Sequence, residues 1–420
     1  MTGTVFALLL LASVPIGIVL AMTAAFYIWY SGNGLLFDSF AQQLFSGVES
    51  YGLLAIPLFM LTGELMNEGG LTRRLIQAAR IFVGGFRGGM AYINLLANMF
   101  MAAIIGSAAS QIAIMTRAMV PAMEEEGYSR DFAAATTAAG GLLSPIIPPS
   151  MLFVIYGVLA QVPIGDMFLA GIIPGLMLTA AFVLIVTLIG LVRTFPKGEW
   201  MTARQSLHAA RDAVPAALIP VAIVGGILLG IATPTESAAV ASLIAFLIGW
   251  LLYRDLRIGQ LGTVLIRTAM NASLVIFLVA AANVFGLVIV YEQIPQALTA
   301  VLTTITSDPF VFLLLVNLGL LLVGMILDGV SALILIGPIL LPMATITYGI
   351  DPFQLGVVLC LNLVLGLLTP PVGAGLYIAA AMSGARPTAI FRELLPFLLA
   401  VALIIVLLSW QPIFTTYLIR

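Results

Sequence analysis

Few residues of this 420-residue chain could do chemistry, and those few lie inside apolar runs. Gly140 to Ser150 reads Gly-Gly-Leu-Leu-Ser-Pro-Ile-Ile-Pro-Pro-Ser, which places Ser144, Pro145, Pro148, Pro149 and Ser150 in a stretch apolar enough to cross a membrane. Proline removes a backbone donor and clashes with the preceding turn, so an unbroken helix is not expected there. In hydrocarbon each freed carbonyl must be satisfied by protein, water or an ion. The break is therefore either a kink packed against its neighbours or a place where carbonyls hold something. It also recurs. An offset of 222 carries Pro148-Pro149 onto Pro370-Pro371, next to Thr369, and carries Gly127 onto Gly349, Leu143 onto Leu365 and Pro174 onto Pro396. Interrupted spans in corresponding places of two halves point to the binding site of a secondary transporter.

Two further clusters share this character. Gly106-Ser107-Ala108-Ala109-Ser110 interrupts the apolar stretch Gly89–Met123, and Asp328-Gly329-Val330-Ser331 interrupts Pro309–Ala344. Each stretch is too long for one span and short for two, which predicts a re-entrant hairpin with a non-helical tip. Asp328 stands 222 residues after Gly106, so the tips correspond. Asp328 either caps the helix that follows or acts on a cation, and an acid at membrane depth is functional by default. Ser107 and Ser110 either ligate or let helices approach closely.

The elements that must position these residues are membrane helices. The chain is 62% hydrophobic and 8% charged, where an average soluble domain is nearer a quarter charged. The apolar start Val5–Trp29 is too long for a signal peptide and reads as a first span. Further spans are expected at Tyr51–Leu65, Phe132–Leu159 (broken), Met167–Leu191, Val214–Ile231, Ser237–Tyr253, Met270–Val290, Pro352–Met382 (broken) and Glu393–Trp410. Tyr30–Ser50 and the polar Arg193–Arg211 are expected as connectors. Leu71, Leu75, Ala78 and Phe82 share one helical face while Arg73, Gln77 and Arg80 share another, which predicts an interfacial helix against lipid headgroups. Ile294, Leu298, Val301, Leu302 and Ile305 predict a second. Thr233-Pro234-Thr235-Glu236 reads as a capping box.

Charge fixes the expected sidedness. With the N-terminus inside, every Lys and Arg except Arg420 falls on or near the cytoplasmic side, and Asp38, Glu49, Asp166, Glu292, Asp308 and Asp351 fall outside. The first hairpin then has basic ends inside and the second acidic ends outside. This predicts an all-α polytopic membrane protein of two inverted repeats, each with a re-entrant helical hairpin and a broken transmembrane helix.

Enzymes are excluded on residue content. The single histidine, His208, lies in the connector, which rules out His-Glu-x-x-His zinc hydrolysis and leaves no base for a serine protease. Only Asp328 is deep, so a paired-aspartate site is missing. The only lysine, Lys197, precedes Gly198-Glu199 and belongs to no phosphate-binding loop. The single cysteine, Cys360, excludes an internal disulfide or a cysteine-rich metal site. No cofactor, transition metal or nucleic acid is expected.

These pieces resemble the large membrane subunit of tripartite ATP-independent periplasmic (TRAP) transporters, within the ion-transporter superfamily. The resemblance rests on Gly63-Glu64-Leu65-Met66, Gly106-Ser107, Gly141 through Pro149, Gly230 through Glu236, Gly324 through Gly329, and Leu368-Thr369-Pro370-Pro371, in this order over nearly the full length. It implies an elevator-type importer of the bacterial cytoplasmic membrane, with a scaffold and a moving transport domain. Such an importer takes an organic acid, commonly a carboxylate, from a periplasmic substrate-binding protein and moves it inward with sodium ions. It implies a small four-span membrane subunit too, expected here as a separate polypeptide. By the same analogy residues 1–88 and 213–308 form scaffold spans and arm helices, 89–192 and 309–420 the transport elements, and 193–212 a cytoplasmic connector. The C-terminus is expected in the periplasm. A standalone dicarboxylate carrier of the same superfamily is the alternative.

Sodium is a hard cation that takes oxygen ligands, which unwound segments supply. One sodium site is therefore expected at Gly106 and Ser107 beside Ser144, Pro145 and Pro148, and its twin at Asp328 and Gly329 beside Thr369 and Pro370. The acid is expected between the tips, near Ser107, Ser110, Ser150, Ser331 and Thr369. Glu64 is expected to pair or snorkel, and Glu124–Glu126 to be a solvated loop.

Overall fold

A computed structural model describes residues 1–32, 34–83, 85–198 and 200–419, so Glu199 and Arg420 lie outside the described residues. Among those described, regular structure is helical apart from an isolated bridge between Arg87 and Lys197. The first half runs α1 (Thr2–Leu11), α2 (Ile16–Ser31), α3 (Gly34–Ser46), α4 (Ala55–Glu68), α5 (Leu71–Val83), α6 (Gly89–Ile105), α7 (Ala108–Glu125), α8 (Arg130–Gly141), α9 (Met151–Ala160) and α10 (Ile164–Val192). The second runs α11 (Ala203–Leu228), α12 (Pro234–Leu247), α13 (Leu261–Tyr291), α14 (Ile294–Ile305), α15 (Pro309–Gly324), α16 (Gly329–Pro342), α17 (Pro352–Leu367), α18 (Ala374–Ser383), α19 (Pro387–Trp410) and α20 (Ile413–Thr416). Among the described residues six helices are long and apolar enough to cross a membrane, or up to eight if each of two bent pairs counts as one span. This is a multi-span integral membrane protein.

Several expected boundaries shift. The first apolar run is two helices, because Ser13 turns at φ 59° and Pro15 starts α2. The connector Tyr30–Ser50 contains α3, and the polar connector before the second half becomes helical from Ala203, where Thr202 and Gln205 make a reciprocal cap. The expected capping box is present: Thr233 N donates to Glu236 Oε2 at 2.8 Å and Glu236 N donates to Thr233 Oγ1 at 3.3 Å.

Each expected hairpin is two helices joined by a short break, α6–α7 and α15–α16, and each expected broken span is interrupted, α8–α9 and α17–α18; residues Gly329–Thr347, which begin with α16, are by themselves long and apolar enough to cross a membrane. The first tip is shorter than expected. Only Gly106 (φ 64°) and Ser107 leave the helix, because Ser107 in extended geometry already starts α7. In the second hairpin the break is Met325–Leu327, and Asp328 is the N-cap of α16 rather than the middle of a loop. Leu142–Ser150 separates α8 from α9 and Leu368–Gly373 separates α17 from α18; Pro148-Pro149 and Pro370-Pro371 are both cis.

Among the helices, α4 lies against α12 and α13, α2 against α13, α11 against α5 and α12, and α5 in turn against α6. Helices α6 to α10 and α15 to α19 hold most of the largest fully buried side chains, among them Phe132, Phe153, Tyr156, Phe312 and Phe397. Here the two halves exchange partners: α7 packs on α18, and α16 packs on α9. Without hydrophobic drive in lipid, such helices are held by close packing and amide hydrogen bonds. Asn98 Nδ2 donates to Asn94 Oδ1 at 2.8 Å and Gln111 Nε2 to Asn98 Oδ1 at 2.9 Å. In the second half Asn362 Nδ2 donates to Asn317 Oδ1 at 3.0 Å and Asn317 Nδ2 to Ser409 Oγ at 2.9 Å.

The amphipathic helix α5 buries Leu71, Leu75 and Ala78 and exposes Arg73, Gln77 and Arg80 as expected, although Phe82 points outward. Arg74 pins it to the end of the α12 segment, with Nη1 2.6 Å from Asp255 Oδ2 and its guanidinium 3.8 Å from the Tyr253 ring centroid. Arg74→Ala removes both contacts, and we expect it to lower stability by about 1 kcal/mol, read as a lower melting temperature in detergent. Arg74→Lys should recover only part, lacking the planar stacking group. On α14 only Pro295 is buried, and Leu298, Val301 and Ile305 face outward.

Candidate functional site

The first break is a source of bare oxygens for a reason written in its prolines. In a helix the carbonyl of Ser144 would accept from residue 148, but Pro148 has no N–H. Among the described residues the carbonyls of Ser144, Ile147 and Pro148 accept no hydrogen bond, whereas Pro145 O accepts Ser150 Oγ at 2.6 Å. Ser144 is fully buried and its hydroxyl has no partner among the described residues. Such groups are costly in low dielectric unless something fills their valence. The first tip closes on this segment: a Cβ built on Gly106 would lie 3.4 Å from Met151 N and 3.7 Å from Pro149 O.

The second break repeats the pattern. The carbonyls of Thr369 and Pro370 accept no hydrogen bond among the described residues, while Gly373 N donates to Met325 O at 3.1 Å and ties the break to its hairpin. Asp328 accepts from Val330 N at 3.1 Å and Ser331 N at 3.2 Å, and the Ser331 hydroxyl donates to its other oxygen. It is therefore a helix cap, and its carboxylate also lines a cavity. Gly329 packs beside Leu152 and Val364.

That cavity, of about 590 Å³, is where the halves meet. Ser107 and Ser110 enter from the first tip, Asp328 and Ser331 from the second, and Glu64, Asn67 and Asn271 face them from α4 and α13. Of the residues expected to touch the acid, Ser107, Ser110 and Ser331 line it and are brought together. Ser150 and Thr369 do not. Ser150 caps α9, with Phe153 N donating to its Oγ at 3.4 Å, and Thr369 Oγ1 donates back to Leu365 O at 2.8 Å. This division predicts separable phenotypes. Ser331→Ala should raise the apparent KM for the acid several-fold, as for one lost hydrogen bond of about 1 kcal/mol. Ser150→Ala should lower the melting temperature, by about 1 kcal/mol of stability, and leave KM in place.

Among the described residues the cavity wall carries two carboxylates, Glu64 and Asp328, and no Lys or Arg. Arg267 stands at the rim, with Nη1 3.9 Å from Glu64 Oε2 and 3.0 Å from Glu68 Oε1. An organic anion entering such a space needs cations with it. The expected pairing of Glu64 is present. The acidic loop is in part paired, with Arg130 Nε 2.6 Å from Glu124 Oε1, where the carboxylate holds the guanidinium pKa above its ordinary value.

Glu64, Asn67 and Asn271 were not expected at the site, nor was the start of α2 from Pro15 to Ile18, which also lines it. Glu64 carried a signal, being an acid within an apolar run. Pro15 inside the first apolar run was a second.

Residues 3–414 match the family described as the tripartite ATP-independent periplasmic transporter, DctM component. Among similar proteins, the sialic acid TRAP transporter large permease protein SiaM of Vibrio cholerae is 36% identical over 418 residues, 99% of this chain and 97% of the relative. The C4-dicarboxylate TRAP transporter large permease protein DctM of Pseudomonas aeruginosa is 35% identical over 89% of this chain and 87% of its own. The isethionate TRAP transporter permease protein DctMQ of Oleidesulfovibrio alaskensis is 35% identical over 97% of this chain but 64% of its own length. Among solved structures, the YdaH transporter of Alcanivorax borkumensis aligns with TM-score 0.65 at 15% identity, over 90% of this chain and 88% of its own. That likeness concerns the fold alone.

Proposed function

This chain belongs to the DctM component family of tripartite ATP-independent periplasmic transporters, and we propose that it imports a small organic acid together with sodium ions. The observation that carries the reading is the cavity between the tips, which joins hydroxyls and amides suited to an acid with the Asp328 carboxylate, which no Lys or Arg pairs among the described residues. A cargo of like sign beside that carboxylate calls for a cation with it. Carbonyls left bare by Pro148 and by the second break supply hard oxygen ligands for sodium. The ion positions are Gly106, Ser107, Ser144, Pro145 and Pro148 on one side, and Asp328, Gly329, Thr369 and Pro370 on the other. The acid contacts Ser107, Ser110 and Ser331.

The names of relatives support an anionic cargo: sialic acid, C4-dicarboxylates, isethionate and 2,3-diketo-L-gulonate are all acids. Such a permease works with a soluble periplasmic substrate-binding protein and a small four-span membrane subunit in the bacterial inner membrane, N-terminus cytoplasmic and C-terminus periplasmic. The exchange of partners between halves, α7 with α18 and α16 with α9, fits two inverted repeats that move as one body. That body slides against the group containing α4, α11, α12 and α13 in an elevator motion.

The test is uptake into liposomes holding this chain, the small subunit and the binding protein, with an inward sodium gradient and a panel of labelled acids. Accumulation that collapses when sodium is equalised is expected. Gradient-independent equilibration would overturn the coupling. Uptake by the chain alone, unaffected by the other two components, would favour a standalone dicarboxylate carrier.

A further inference from the structure

A second cavity, of about 800 Å³, lies at the other end of α13. Its polar wall is uncharged, with Gln43 and Ser46 from α3, Asn283 from α13, and Gln161 at the end of α9. Asn283 Nδ2 donates to Gln43 O at 2.7 Å, Gln43 Oε1 at 3.1 Å and Ser46 Oγ at 3.1 Å. Polar groups set in an apolar wall require partners, and in this conformation they serve one another.

The two cavities share a track. Asn271, Val275 and Leu278 line the first, Ala282 and Gly286 the second. Steps of three or four residues keep all five on one face of α13. From Asn271 to Asn283 the helix rises about 18 Å. Beside this face runs α16, whose first turn (Asp328, Ser331) lines the first cavity and whose Pro338 lines the second. The far end of the track is open, since nothing lies within 4 Å of a Cβ built on Gly286.

We propose that Gln43, Ser46 and Asn283 form a second polar half-site for the organic acid, met by the tips carrying Ser107, Asp328 and Ser331 when the transport elements travel along α13 to open on the opposite side of the membrane. The inference rests on the moving-hairpin reading above. Amides and a hydroxyl donate to a carboxylate and accept from hydroxyls without a fixed charge. They hold an acid in passing without trapping it as a buried arginine would. The small side chains of Ala282 and Gly286 leave room for an arriving helix end.

The test uses the three-part system in liposomes, with succinate and N-acetylneuraminate as probes. Gly286→Phe fills open space here but bars the tips from the far cavity, and should cut uptake roughly tenfold or more. Cys360, the only cysteine, is buried, so introduced thiol pairs react alone. With a bis-maleimide, Ser331→Cys paired with Asn271→Cys should cross-link across the first cavity, and Ser331→Cys paired with Asn283→Cys across the second. Each cross-link should stop uptake. If only the first pair cross-links and stops uptake, the hairpins move but the half-site is wrong. Wild-type uptake by Gly286→Phe overturns it too. If the first pair cross-links and uptake continues, the moving-hairpin reading itself fails.

Discussion

Asp328→Asn should raise the sodium concentration for half-maximal uptake by roughly tenfold or more, with little change in melting temperature. The separation follows from the cap. The Asp328 carboxylate accepts the amides of Val330 and Ser331 and the Ser331 hydroxyl, and asparagine is as good an N-cap as aspartate. The substitution therefore keeps the start of α16 while removing one of two negative charges from the cavity wall. Asp328→Ala is the control, losing cap and charge together, and should lower the melting temperature as well. Sodium titrations of uptake decide the matter. An unchanged sodium midpoint in Asp328→Asn would confine Asp328 to capping, and the second ion position would have to rest on carbonyls alone.

Gly366→Ala should be the most damaging single-methyl change in the chain. Gly366 of α17 faces Gly324 of α15 so closely that a Cβ would sit 2.4 Å from Gly324 C and 2.6 Å from its Cα. Backbone cannot swing aside as a side chain does, so the second hairpin must lift off the broken span beside it. Overpacking of this kind costs about 1–3 kcal/mol or more, and here it displaces the segment that presents Asp328. Gly319→Ala tests the explanation on α15 itself, where nothing lies within 4 Å of the added methyl. Helix propensity makes that change neutral or slightly stabilising. Solubilised yield and thermal unfolding of the two variants should diverge sharply; similar behaviour would mean the close approach of α15 and α17 is relaxed in the membrane.

Much of the architecture was legible along the chain because hydrocarbon is an unforgiving solvent. A proline pair in an apolar run leaves carbonyls that lipid cannot satisfy, so breaks at 142–150 and 368–373 followed from residue type. Stretch length pointed to the paired helices α6–α7 and α15–α16, periodicity to the basic face of α5, and residue order to the Thr233–Glu236 cap. Tips were placed less well. Gly106 and Asp328 were identified, and capping was one of two readings for Asp328; that Ser107 starts α7 from extended backbone, without a side-chain cap, was not written in its residue type.

The cavity was legible only in part. Ser107, Ser110, Asp328 and Ser331 stand at chain interruptions, and an interruption is a local property. Asn67 and Asn271 lie within continuous helices, where nothing local distinguishes a residue facing a cavity from one facing lipid or a neighbour, and Glu64 in α4 stood out only as an acid within an apolar run. Ser150 and Thr369 stand at interruptions yet turn their hydroxyls to Pro145 O and Leu365 O. Composition and proline placement thus determined a membrane-spanning chain with two paired breaks, since backbone valence in lipid is decided residue by residue. Which oxygens meet in one space was left to the packing of α4 and α13 against the two tips, because helix rotation is set by contacts among helices and not by the sequence of any one of them.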